Sequence, residues 1–493
     1  MLRRTCVILG AFCAVAVMPA VASAATLPPA GIYQVWGKDA SVTKPYIKGG
    51  QITVEWSAIQ PTRSTFNWSS LDSKLAYFNS IGKVATVQVN STTAKPSWLF
   101  KAVSRCGAVK GQDAPQYWDP KYMAIQSDLV NALAAHLKSS PYKSTVALVR
   151  ASPNAIGTEL TDLPAGYTCV PAAGNKNFAA KWSKEIRNSY YYDVMNLYRQ
   201  ALLPEINVAL RVQLWTQWPG HSPTDWLGAG GAWMMGTASD PDPDPVRDAF
   251  DLFAFNKVKN GTGNAYWEQK NGTKRHLVSW EYWRILMELH KGTRAIAVYG
   301  SDLAMADTNP EFRKTFDFAN TYAGYQADPG TSPGAWVALR QGSGRLPGNY
   351  SLHMAQLNAD ATSVAVNSNS GASPIGNPAQ RYGRHARQVV GGTAKDAMSF
   401  QLDPAFKAAI ATSETTLKVY YLDAGNASFE VRWGSDSAVT VDKTGSGDWR
   451  VLEIPVSGLA YTGALAGGAD VKVSQLGTGS TNFHMVEVAV NGR

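Results

Sequence analysis

Two glutamates carry the chemistry this sequence suggests most strongly. Glu159 closes the run Ser152-Pro153-Asn154-Ala155-Ile156-Gly157-Thr158, and Glu268 closes Ala265-Tyr266-Trp267, 109 positions further on. Cleavage of a glycosidic bond needs one carboxyl to protonate the departing oxygen and a second to attack or assist at the carbon it leaves. Other side chains suit sugar hydroxyls and ring faces: Gln34, Glu55, Asn90, Asn154 and Gln213 as hydrogen-bonding groups, and Trp36, Trp215 and Trp267 as flat platforms. Gln88, Gln217, Trp56 and Trp218 join the same set, and Glu55 has a second reading as a buried partner of Arg150.

Side chains scattered this widely meet only if the chain returns repeatedly to one place. Eight short apolar runs read as strands: Gly31 to Trp36, Gln51 to Trp56, Val84 to Val89, Thr145 to Ala151, Ala209 to Trp215, Ala232 to Gly236, Asn264 to Glu268 and Arg294 to Tyr299. Helical segments fall between them: Ser69 to Ile81, Lys121 to Lys138, Phe178 to Leu203, Pro245 to Lys259, Ser279 to Lys291 and Pro310 to Tyr322. This alternation predicts a (β/α)₈ barrel over residues 25–328, whose strand ends and following loops line the mouth. Two stretches compete to end strand seven, Ala265 to Glu268 and Val278 to Glu281. The first is preferred because it leaves room for a helix whose Trp280, Trp283, Leu286 and Leu289 share a face, and Glu281 remains the fallback carboxylate.

From Asp328 to Gly334 the texture turns to Pro, Gly and Ser, and turn-separated strands follow, from Trp336 to Arg340 through Phe483 to Val490. Residues 329–493 are therefore expected to form an antiparallel β-sandwich, with Leu417, Val419 and Tyr421 facing its core. Residues 1–24 have the order of a secretory signal: Arg3 and Arg4, an apolar run to about Val21, then Ala22-Ser23-Ala24. A secreted or periplasmic product without a membrane anchor follows. Of the four cysteines, Cys6 and Cys13 leave with the leader, and Cys106 and Cys169 are expected to form one disulfide.

The formal charge of +9 falls to +7 without the leader's two arginines, and the basic residues form no run, so nucleic acid is not expected as a partner. No Gly-x-Ser-x-Gly elbow, His-Glu-x-x-His pair or phosphate loop is present, and no cofactor or metal is expected. Asp240-Pro241-Asp242-Pro243-Asp244 alternates carboxylates as a calcium loop does but lacks its glycine.

The stretch Val54-Glu55-Trp56-Ser57-Ala58-Ile59-Gln60-Pro61, continuing to Phe66-Asn67-Trp68 and Leu71-Asp72, resembles the second-strand signature of the retaining clan of β-galactosidases and their barrel relatives. Over residues 30 to 325 the resemblance implies Glu159, after strand four, as acid/base and Glu268, ending strand seven, as nucleophile. Carbohydrate is the implied partner. That clan places an asparagine directly before the strand-four glutamate, whereas this chain has Thr158 there and its nearest asparagine is Asn154. The sandwich is similar to accessory domains of bacterial glycan hydrolases, which bind sugar or only support the barrel. The alternative reading is a non-catalytic carbohydrate-binding or envelope protein on the same scaffold.

Overall fold

The computed structural model describes residues 26–35, 39–90, 95–109, 112–151, 169–170, 184–209, 233–236, 249–252, 267–270, 273–342, 348–367, 380–383 and 385–493. Eight strands lie parallel in one sheet: β1 (Gly31–Val35), β2 (Ile47–Glu55), β3 (Val84–Asn90), β4 (Val146–Arg150), β5 (Val208–Ala209), β6 (Trp233–Gly236), β7 (Ala249–Leu252) and β8 (Ala295–Tyr299). Their order is β5-β4-β3-β2-β1-β8-β7-β6, and the terminal strands β5 and β6 bring Cα atoms within 8 Å of each other. Around the sheet the strands thus follow the order of the sequence, which is the (β/α)₈ barrel.

Alternation along each strand divides the side chains. Ile32, Ile52, Val54, Val87, Val89, Val149, Ile296 and Val298 face outward into the large core beneath the helices. Tyr33, Val35, Leu148, Ala295 and Ala297 form a separate cluster inside the barrel. Space there is tight: a Cβ on Gly49 would lie 2.6 Å from the Tyr33 ring, so only glycine fits beside it. The covering helices have clear local causes. Asp119 accepts the Lys121 N–H at 2.9 Å with Pro120 at the first helical position, starting Pro120–Ser139. Asn309 accepts the Phe312 N–H at 3.0 Å and starts Pro310–Tyr322, which buries Phe312, Thr315, Phe316, Ala319 and Tyr322 at helical spacing.

One barrel strand is not where the sequence pattern puts it. Ala249–Leu252, inside the expected helix Pro245 to Lys259, pairs parallel with both β6 and β8 and is the seventh strand. Of Ala249-Phe250-Asp251-Leu252 only Phe250 has a strong β preference, so it is pairing on both edges that outweighs the helical start suggested by Pro245. Trp267–Lys270 pairs instead with Thr273–His276 as an antiparallel two-stranded hairpin, so Glu268 stands outside the parallel sheet. The helix Leu277–His290 follows it directly, two residues ahead of the expected start at Ser279.

Behind the barrel, two antiparallel sheets of seven and five strands face each other. Leu417, Val419 and Tyr421 point into the core between them, as alternation predicts. The stretch Tyr350 to Leu357 is two strands: Tyr350–Leu352 in one sheet and Met354–Leu357 in the other, switching at His353, whose φ is 53°. The sandwich is not a separate bead. Trp336, Ala338, Tyr350, Leu352, Tyr382, Ala386, Tyr420, Leu422, Trp449 and Met485 belong to the same apolar core as the barrel's outer helices. Among the described residues no helix is long and apolar enough to cross a membrane.

The short strands Arg105–Val109 and Cys169–Val170 pair antiparallel with Cys106 directly opposite Cys169. Directly opposed residues have Cα atoms about 4.5–5.5 Å apart, inside the range a disulfide spans. Mass analysis without reductant should therefore find neither Cys106 nor Cys169 free. Two alkylatable cysteines would contradict the pairing.

Candidate functional site

All eight strands end on one side of the barrel, and the side chains that point inward there form its mouth. On β2, Gln51, Thr53 and Glu55 share the inward face with Gly49. Their register partners on β3 are Thr86, Gln88 and Asn90. Gln51 Nε2 donates to Gln88 Oε1 at 2.6 Å, tying the two strands together below the mouth. Gln88 is in register with Arg150, the last residue of β4, which is buried. Glu55 and Asn90 thus stand side by side at the rim, with Arg150 one strand further on. Glu55 is exposed, so it is not a buried partner of Arg150. In the connection after β3, Lys95 lies 5.7 Å from the centre of the Tyr117 ring, and burial pushes its ammonium down to about 7.

Two expected contacts face elsewhere. Gln34 shares the strand face of Ile32 and is buried toward the helices, because the period of two gives the inward positions of β1 to Tyr33 and Val35. Trp56 is fully buried, donates from Nε1 to Gln60 Oε1 at 2.7 Å, and meets Trp98 and Tyr122 edge-on. It belongs to the outer core and offers no face to a ligand. Trp36, Asn154, Glu159, Gln213, Trp215, Gln217 and Trp218 lie outside the described residues, as do the leader and Asp240 to Asp244. For Trp267 and Glu268 the backbone alone is described. Their hairpin leads into Leu277–His290, which must run down the outside of the barrel to reach the start of β8, so the hairpin sits on the mouth side.

The sequence reading named Glu281 only as a fallback carboxylate and missed the acid it is paired with, Asp302. Glu281 is completely buried in Leu277–His290, and neither carboxylate oxygen has a hydrogen-bond donor among the described residues. Asp302, three residues beyond β8 in the helix Gly300–Thr308, is also buried. Its Oδ2 accepts the Tyr299 N–H at 3.0 Å, and its Oδ1 has no donor. An unpaired acceptor in the interior costs about 1–3 kcal/mol, more if charged. Holding protons is the remedy. Burial pushes the Glu281 carboxyl well above the carboxylate range, the like charge of Asp302 adds to this, and Arg284 opposes it. Burial pushes Asp302 up to about 8 against the pull of the Tyr299 N–H. The only signal in the sequence is an acid among apolar residues, Trp280-Glu281-Tyr282-Trp283. Among the described residues no three His, Cys, Asp or Glu side chains converge as a metal site would require.

No protein-family model matches the chain, and no curated protein matches it. Among solved structures it is similar to an exo-β-1,4-mannosidase from Opitutaceae bacterium strain TAV5, at 11% identity over 60% of this chain and 60% of that one, TM-score 0.36. It is also similar to a β-galactosidase from Rahnella sp. R3, at 8% identity over 56% and 51%, TM-score 0.37. A glycoside hydrolase family 30 subfamily 8 xylanase from Clostridium acetobutylicum is similar at 10% identity over 95% and 97%, TM-score 0.34. The chain spans no more than 60% of the length of the first two. Likeness at this level concerns the fold and assigns no residue a role.

The carboxyl pair generates a pH dependence. Folded-state values above the ordinary ones mean that the pair's contribution to stability is fully present below about pH 4 and is lost as pH rises toward about 8. Measured relative to the double variant Glu281→Gln, Asp302→Asn, the melting temperature of the native chain should decline across that window. The double variant Glu281→Gln, Asp302→Asn should lack that part of the decline. Parallel curves for the two proteins would contradict the assignment.

Proposed function

We propose that this chain is an exported glycoside hydrolase that cleaves a poly- or oligosaccharide with retention of configuration, using Glu159 as acid/base and Glu268 as nucleophile. The mouth carries this reading. Deep in the barrel the inward side chains are packed and largely apolar, and at the strand ends they turn polar, with Glu55, Asn90 and Arg150 on three successive strands. A ligand rich in hydroxyls meets open hydrogen-bonding groups there, whereas the deeper Gln51 and Gln88 are bonded to each other. The strand-two signature around Glu55 and Trp56 supports the same reading. The hairpin that carries Glu268 lies on the mouth side, whereas Glu281 is sealed from solvent, which favours Glu268 as the nucleophile.

In this mechanism Glu159 protonates the leaving oxygen while Glu268 attacks the anomeric carbon. A covalent glycosyl-enzyme forms, and water activated by Glu159 then hydrolyses it. The antiparallel pairing of Trp267–Lys270 favours one competing reading, in which the mouth binds carbohydrate without cleaving it.

Turnover of a panel of chromogenic glycosides separates the two. The native chain should hydrolyse at least one member. Glu268→Ala should lose that activity, and azide or formate should restore it by occupying the vacated position. Glu159→Ala should lose about 10²–10⁴-fold on substrates with poor leaving groups and much less on those that depart without protonation. Binding without turnover across the panel would favour the competing reading, and full activity in Glu268→Ala would remove the nucleophile assignment.

A further inference from the structure

The last strand of the sandwich, Ser480–Val490, serves two cores. Phe483, Val486, Val488 and Val490 face the interior of the sandwich, and Met485 faces the barrel. Against the strand Glu414–Leu422 the register slips by one residue, with Tyr420 opposite Met485 and Tyr421 opposite Phe483. This bulge leaves His484 without an opposite residue and frees it to turn toward the barrel. The imidazole is completely buried. Its ring centre lies 5.4 Å from Tyr282 and 4.9 Å from Trp283 on the barrel helix Leu277–His290, and 4.8, 6.2 and 5.9 Å from Tyr382, Tyr420 and Trp449 of the sandwich. Nε2 is 3.0 Å from the Tyr282 hydroxyl. Beside it the buried Glu487 accepts hydrogen bonds from Tyr322 of the barrel and Tyr420 of the sandwich, both at 2.6 Å.

We propose that the sandwich is a clamp on the helix Leu277–His290, and that the joint is an acid-released lock with His484 as its sensor. This does not rest on the hydrolase reading. A neutral imidazole suits a cage of five aromatic rings, and an imidazolium there has lost its water. The charged and titratable groups around it come from every packed element. Tyr282 comes from the barrel helix, and Arg381 with Tyr382 from the turn before the strand His385–Val390. His385 begins that strand, Tyr420 lies in Glu414–Leu422, and Glu487 is on the last strand itself. Arg381 adds positive charge, although Glu311 of the barrel holds its guanidinium at 3.2 Å. The Glu487 carboxylate is already engaged by two hydroxyls. Burial pushes the His484 ring down to about 3, Arg381 pushes the same way, and the backbone carbonyl of His385, an acceptor for the ring, opposes them. Because this lies below the ordinary 6.5, the stability of the joint is present above that value and is lost as pH falls toward 3. The most exposed large apolar side chains among the described residues are aliphatic, Leu27, Val364, Val451, Leu459 and Leu476, so these offer a sugar no flat ring.

The test follows tryptophan emission and the small-angle X-ray radius of gyration of the full chain from about pH 7.5 to about pH 4. The native chain should show a red shift and an expansion on acidification, as Trp283, Trp336 and Trp449 become wet. His484→Gln, neutral throughout, should move that transition lower by at least about one pH unit. Glu487→Gln should retain it. Circular dichroism at neutral pH establishes that each variant folds, and His484→Phe, which keeps a ring in the cage, replaces His484→Gln if the latter does not. A native chain that stays closed overturns the proposal. So does a transition unchanged in the folded His484 variant, or one abolished by Glu487→Gln.

Discussion

The helix Leu277–His290 has almost no face left for water. From Glu281 to Leu289 every side chain is buried, and the run includes Glu281, Arg284 and Glu288 as well as Trp283, Leu286 and Leu289. A helix apolar on one stripe needs one neighbour, whereas a helix buried all round needs cover on both sides. The barrel supplies one cover and the sandwich the other. Tyr282 reaches His484, Trp283 meets His385 edge-on at 4.8 Å, and His290 Nδ1 accepts the Ser351 N–H at 3.0 Å. The sandwich's position, the placement of β8 and the anchorage of the hairpin carrying Glu268 all follow from this double burial.

The polar groups trapped with that helix show how the molecule tolerates it. Thr293 Oγ1 donates to Glu288 at 2.8 Å. Burial pushes Glu281 and Asp302 toward the protonated form, Asp302 keeping one hydrogen bond from the Tyr299 N–H, and Glu487 is satisfied by two tyrosines. Each arrangement avoids an uncompensated interior charge by a different route, and each ties the barrel to its covering layers at a chosen point.

How much of this was legible in the sequence depended on whether the cause was local. The helix Pro310–Tyr322 was readable to the residue because its Asn-Pro start and its stripe of Phe312, Phe316 and Ala319 lie within one segment. The seventh strand was misplaced because Ala249–Leu252 is a strand only by virtue of neighbours that come before and far after it. Trp56 carried the motif but also the bulk of a core residue, and type alone does not separate the two. The Glu281 and Asp302 pair is made by packing between two elements, and His484 faces the barrel only because a bulge shifts the strand by one residue.

The functional account comes down to one separation. Glu55, Asn90 and Arg150 mark a polar mouth on β2, β3 and β4, and the hairpin with Glu268 comes between β7 and β8 in the chain. A crystal structure with a sugar-derived inhibitor seated in that mouth measures what the mechanism requires. The account predicts the carboxyl carbons of Glu159 and Glu268 about 5–5.5 Å apart with the anomeric carbon between them. A separation of about 6.5–9.5 Å would imply inversion, and a Glu268 carboxyl turned away from the sugar would contradict the assignment altogether.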